Sequence, residues 1–145
     1  MDKNLAAKVR TKFESLRRQA LPEFQPDLDA DLPPGFRQYK YSRPDGTHFF
    51  VVLELNPKAD AFSVEVGWSL DGKYPSRILT FLPSDTPKNG SLRFRLRTLD
   101  RAFRNGDNGW RLTGSDLDLE AAIGDAFRWL VERYRPYVKS VVSRL

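Results

Sequence analysis

Arg93, Arg95 and Arg97 alternate with Leu92, Phe94 and Leu96, and no other residues of this chain suit chemistry so plainly by type and spacing. Guanidinium groups bind carboxylates and phosphates through paired N–H donors. A period of two marks a strand, because successive side chains point to opposite faces of a sheet. One face then buries Leu92, Phe94 and Leu96, while the other holds three cations about 6.6 Å apart. Cations in such a row repel one another. Carboxylates of the fold, phosphates or an acidic partner must sit against them.

Other residues with chemical potential lack the companions that chemistry needs. His48 is the only histidine and lies just past a turn, beside Phe49 and Phe50. A general base works with a nucleophile and an orienting group, and no pattern supplies them, so a solvent-facing strand residue is expected. Asp27-x-Asp29-x-Asp31 resembles the opening of a calcium loop. Such a loop needs glycine at its sixth position and a carboxylate at its twelfth, where this chain has Leu32 and Gln38. An acidic surface connector fits better. Asp116, Asp118 and Glu120 are spaced two apart, which does not bring side chains together on a helix. They suit the start of a helix, where negative charge meets the helix dipole. Gly106 and Gly109 lack the strand, glycine-rich loop and Lys-Ser/Thr context of a phosphate cradle. No catalytic residue, metal site or cofactor is expected, and the candidate binding residues are Arg93, Arg95 and Arg97.

Composition narrows the class further. The chain has 145 residues, 40% hydrophobic and 30% charged, with ten Phe, three Trp and no Cys. That length suits a single domain over 1–145 with one core. Without cysteine there is no disulfide framework and no thiolate chemistry. No opening segment reads as a targeting signal, and the longest apolar runs, such as Phe49–Leu53, are far too short to span a membrane. A cytoplasmic protein without membrane contact is expected. The net charge of +5 arises from alternating blocks. Residues 1–20, 91–112 and 126–145 are basic, while 21–35 and 113–125 are acidic. Acidic loops lying near basic elements would compensate this internally, whereas a free basic patch would recruit an anionic partner.

The elements that must position these residues follow from periodicity and turn chemistry. Leu5, Val9, Phe13, Leu16 and Ala20 form one stripe of a helix over 3–20 that ends before Pro22. Residues 22–35 carry four prolines and read as an irregular connector. Phe36–Tyr41 and Thr47–Leu55 read as a hairpin about Arg43-Pro44-Asp45-Gly46. Residues 61–70 form a third strand with Phe62, Val64, Val66 and Trp68 on one face. Ile78–Leu82 fits either a short strand or a helical turn, 83–90 a loop, 91–98 the arginine strand, and 99–105 a helical turn. Leu119, Ile123, Ala126, Phe127, Leu130 and Tyr134 make the stripe of a helix over 116–134, after which Pro136 breaks the chain or starts a last short helix. Trp68, Trp110 and Trp129 are expected in the core. The expected fold is α+β, with an antiparallel sheet of about four strands and both terminal helices on one face.

The sweep from Gly35-Phe36 through the hairpin to Phe62-Ser63-Val64-Glu65-Val66-Gly67 resembles a class of uncharacterised bacterial domains of unknown function. The likeness covers about half the chain. Members run helix, Gly-Phe, antiparallel meander and helix, and some are similar to immunity-type binding proteins. The resemblance implies a small binding domain and carries no catalytic residues. Two functions stay open. One is a non-catalytic interaction domain that takes an acidic protein partner on its arginine face. The other is a nucleic-acid-binding protein using the same face, although Phe94 points away from the arginines and so cannot stack bases beside them. A monomer fits, and so does a homodimer joined through exposed edge strands.

Overall fold

Asp2 opens the first helix, its side chain accepting a hydrogen bond from the Leu5 amide at 2.7 Å. This cap satisfies one of the free N–H groups of the first turn. Helix α1 spans Lys3–Ala20 and buries Val9, Phe13 and Arg17. A computed structural model describes residues 1–56, 58, 60–76, 91–96, 109–112 and 116–144. The readings of 77–90, of Arg97, of the helical turn at 99–105 and of the loop at 106–108 lie outside the described residues.

After α1 come β1 (Gln25–Pro26), β2 (Phe36–Ser42), β3 (His48–Asn56), β4 (Ala61–Ser69), β5 (Ser91–Arg95) and β6 (Trp110–Arg111). They form one antiparallel sheet in the order β1-β2-β3-β4-β5, with β6 pairing the start of β4. Four of these strands match the expected sheet, and β1 and β6 are additions of two residues each. The β2–β3 turn closes as its sequence demands: Gly46 holds φ at 88°, and the Thr47 amide donates to Asp45 Oδ1 at 3.0 Å.

The chain closes with α2 (Asp116–Trp129), a π-helical turn (Leu130–Tyr134) and α3 (Arg135–Arg144). Pro136 does not break this helix. The Arg135 amide reaches back to the Leu130 carbonyl, one residue further than in an α-helix. Proline in an α-helix clashes with the carbonyl four residues before it, and a widened turn just ahead of Pro136 relieves that crowding.

The core lies between the helices and one sheet face. Tyr39, Phe49, Val51, Leu53, Val66, Trp68 and Phe94 face it, all buried. Phe13 packs on Tyr39 and Phe127 at 5.8 and 4.8 Å between ring centres, and Tyr137 meets Phe94 edge-on at 5.5 Å. Trp110 stacks on Phe62 at 5.3 Å and donates its indole N–H to Asp125 Oδ2 at 2.9 Å, tying β6 to α2. The Tyr134 hydroxyl lies between the carbonyls of Phe50 and Gly67, at 3.1 and 2.9 Å, and clamps the last helix to the sheet centre. Among the described residues no helix is long and apolar enough to cross a membrane.

Candidate functional site

The arginine strand lies where alternation placed it but is shorter than the expected 91–98: β5 ends at Arg95, and Leu96 has left the strand. Leu92 and Phe94 point into the core, and Arg93 and Arg95 occupy the opposite face. Register sets their partners: Arg93 is opposite Gly67, and Arg95 is opposite Glu65. Gly67 is what lets β5 come this close. A Cβ there would lie 2.2 Å from the Leu92 carbonyl oxygen. With no side chain opposite, the Arg93 guanidinium lies over the glycine and reaches diagonally to Glu65.

That reach builds a closed cluster. Arg93 Nε and Nη2 both approach Glu65 Oε1, at 2.8 and 2.7 Å. Its Nη1 donates to the Pro75 carbonyl at 3.2 Å, and its carbon centre sits 4.7 Å over the Tyr74 ring. Tyr74 in turn meets Phe50 edge-on at 5.3 Å. The segment 70–76 is thus folded back over the sheet, and Phe50, Val52, Glu65 and Ser69 are buried on the face that carries the arginines. The physical reason is the pair of apolar residues Phe50 and Val52 at the centre of that face. Burial and the Glu65 charge push the Tyr74 phenol well above its ordinary range.

Arg95 stands differently. It is half-buried, and among the described residues no carboxylate comes within ion-pairing distance of it. Glu54 feels its charge without closing a bond to it. Ser63 donates a hydrogen bond to Glu54 Oε2 at 3.3 Å. Burial, helped by the nearby Glu65 charge, nevertheless raises the Glu54 carboxyl above its ordinary range. Arg97 lies outside the described residues. Of the three cations, then, one is bound within the fold and one is presented.

His48 is half-buried rather than open to solvent. Its Nδ1 lies 2.7 Å from Ser42 Oγ, its cross-strand neighbour, and Gly72 sits close above the ring. The acidic connector is tied down at one end: Gln38 donates to Asp27 Oδ2 at 2.8 Å, and the Asp27 amide donates to the Gln38 carbonyl. Glu120 lies 3.7 Å from Lys12 of α1. Among the described residues no three His, Cys, Asp or Glu side chains gather where a metal ion could sit.

Arg17 of α1 is buried although it lies off the apolar stripe of Leu5, Val9, Phe13, Leu16 and Ala20. Arg17 is 5% exposed. It donates from Nη1 to the Phe24 carbonyl at 2.8 Å and pairs with Glu14. Burial works to raise the Glu14 carboxyl, but hydrogen bonds from Arg17, Tyr39 and Arg18 outweigh it and hold the group below its ordinary range.

Tyr74 escapes sequence reasoning because nothing local ties it to a strand far along the chain. Gly67 did leave a signal: an isolated glycine inside a strand pattern marks close backbone approach. No family model, curated protein or solved structure matches the chain.

Proposed function

We propose that this chain is a small cytoplasmic binding domain without catalysis, and that it takes an acidic protein partner on the β5 side of the sheet with Arg95 as the contact. The observation that supports this is the division of labour between neighbours. Glu65 already holds Arg93, so Arg95, directly across from Glu65, has no ion pair among the described residues. Arg93 and Tyr74 are fixed beside it on the same face. An arginine half-desolvated on a fixed strand gives up less conformational freedom on binding than one on a mobile loop. Arginine is also among the residues that dominate interface energetics. Arg97, two residues on in the same strand pattern, belongs to the same proposal.

The test is affinity capture from lysate of the source organism, with and without nuclease, comparing the parent with Arg95→Gln. A protein retained under both conditions by the parent and lost by the variant supports the reading. Retention that Arg95→Gln leaves unchanged counts against this face. Retention that nuclease abolishes transfers the face to nucleic acid, whose binding must also fall steeply with salt.

A further inference from the structure

A separate crevice of about 430 Å³ lies where the end of α1, the β2–β3 turn and α3 meet. Its volume falls in the range of small-molecule sites, roughly 300–1,000 Å³. The floor is apolar and built from Leu21, Phe24, Tyr41, Tyr134 and Val138. Phe24 meets Tyr41 edge-on at 5.7 Å and Tyr134 at 6.3 Å, so three rings wall one cavity. The Tyr134 hydroxyl is already engaged by the Phe50 and Gly67 carbonyls. What Tyr134 offers the crevice is therefore its ring.

The rim is cationic. Arg43, Arg135 and Lys139 stand around it with Glu23 as the only acid among the lining residues. Glu23 is bound to Arg135 at 3.0 Å, and Arg43 lies 3.3 Å from Asp45. Lys139 is exposed and has no ion pair among the described residues. The π-helical turn contributes to this arrangement. It sets the phase of the helix that follows, so that Tyr134 and Val138 line the floor one turn apart while Arg135 and Lys139 line the rim. Single π turns inside α-helices frequently mark functional sites.

We infer that this crevice is a binding site for a small carboxylic acid with an aromatic body. Rings and aliphatic side chains take the body, and Lys139 takes the carboxylate at the mouth. The occupant is anionic because Asp45 and Glu23 match Arg43 and Arg135, which leaves Lys139 as the one rim charge without an ion pair among the described residues. Its body is compact and largely apolar because rings and aliphatic side chains make the floor, where the Tyr41 hydroxyl is the polar group not already engaged by the fold. The site is distinct from the β5 face, and neither proposal depends on the other.

Naphthalene-2-carboxylate and its neutral twin naphthalene-2-carboxamide are suitable probes, followed by protein NMR. The carboxylate is expected to shift the resonances of Phe24, Tyr41 and Val138 in a saturable way. The carboxamide is expected to bind more weakly. Lys139→Gln is expected to weaken the carboxylate about fivefold, the value of one exposed ion pair, and to leave the carboxamide unchanged. Lys139 makes no bond that the fold needs, so this variant stays folded, as circular dichroism will check. Equal affinity for the two probes overturns the inference, as do shifts confined to other parts of the molecule or an absence of shifts with both probes.

Discussion

The two faces of the sheet are held by different physics. Toward the helices, Phe49, Val51, Leu53, Val66, Trp68 and Phe94 meet Phe13, Phe127 and Tyr137 in a packed apolar layer. On the other side, Phe50 meets Tyr74 edge-on, and the cover is fastened by the ion pair from Arg93 to Glu65. The first face depends on volume, since any void there forfeits contacts. The second depends on charge, since Glu65 is 2% exposed and cannot be left alone. The comparison also explains why two arginines only two residues apart behave differently. Arg93 is held by Glu65, and Arg95 has no ion pair among the described residues.

The comparison breaks most visibly in the core. Phe13→Ala, at a fully buried position, is expected to cost about 4 kcal/mol in denaturant unfolding. Arg93→Ala is expected to cost about 3 kcal/mol by a different route, by stranding the Glu65 carboxylate rather than by opening a void. The two routes separate in a repair experiment. Replacing Glu65 and Arg93 together by Met should return stability to within about 1 kcal/mol of the parent, because well-packed apolar residues replace a buried pair at little cost. No single charge change repairs Phe13→Ala.

Gly67 links the two faces, since it lets β5 pair and gives Arg93 its path to Glu65. Gly67→Ala puts a methyl against the backbone and is expected to cost about 3 kcal/mol, at the top of the overpacking range. Protection of the β5 amides against hydrogen exchange should fall first. At the small end, Arg95→Gln should change stability by less than about 0.5 kcal/mol while abolishing partner capture.

Glu54 gives a pH signature of known sign. Its folded carboxyl is raised, chiefly by burial, so the folded state binds that proton more tightly than the unfolded chain does. Its contribution to stability is present below the ordinary carboxyl range and is lost as pH rises through the folded value. Glu54→Gln should flatten that part of the curve of thermal midpoint against pH. A curve identical to the parent's would show that other groups set it.

The sequence made much of this arrangement legible, and the exceptions have physical reasons. Helix α1, the hairpin, β4 and α2 carry long unambiguous periods and strong turn residues, and all four are present. Strands β1 and β6 are two residues long, and one contains Pro26, so no period could reveal them. The π turn leaves the apolar stripe through Leu130 and Tyr134 intact while changing the register beyond it. Burial of Arg17 comes from the Phe24 carbonyl that its guanidinium meets, a contact set by how the chain turns after Leu21. For the arginine face, alternation settled which way Arg93 and Arg95 point. Which of them is neutralised depended on register against β4 and on Tyr74 folding back, and both arise from long-range packing.

Glu65 and Arg93 are one energetic unit beside Arg95, which has no ion pair among the described residues. A double-mutant cycle on the pair, using Glu65→Gln and Arg93→Gln in denaturant unfolding, tests it most directly. The expected coupling energy is about 1.5 kcal/mol or more. Single changes that add to within about 0.5 kcal/mol would overturn the pairing and leave Arg93 energetically independent of Glu65.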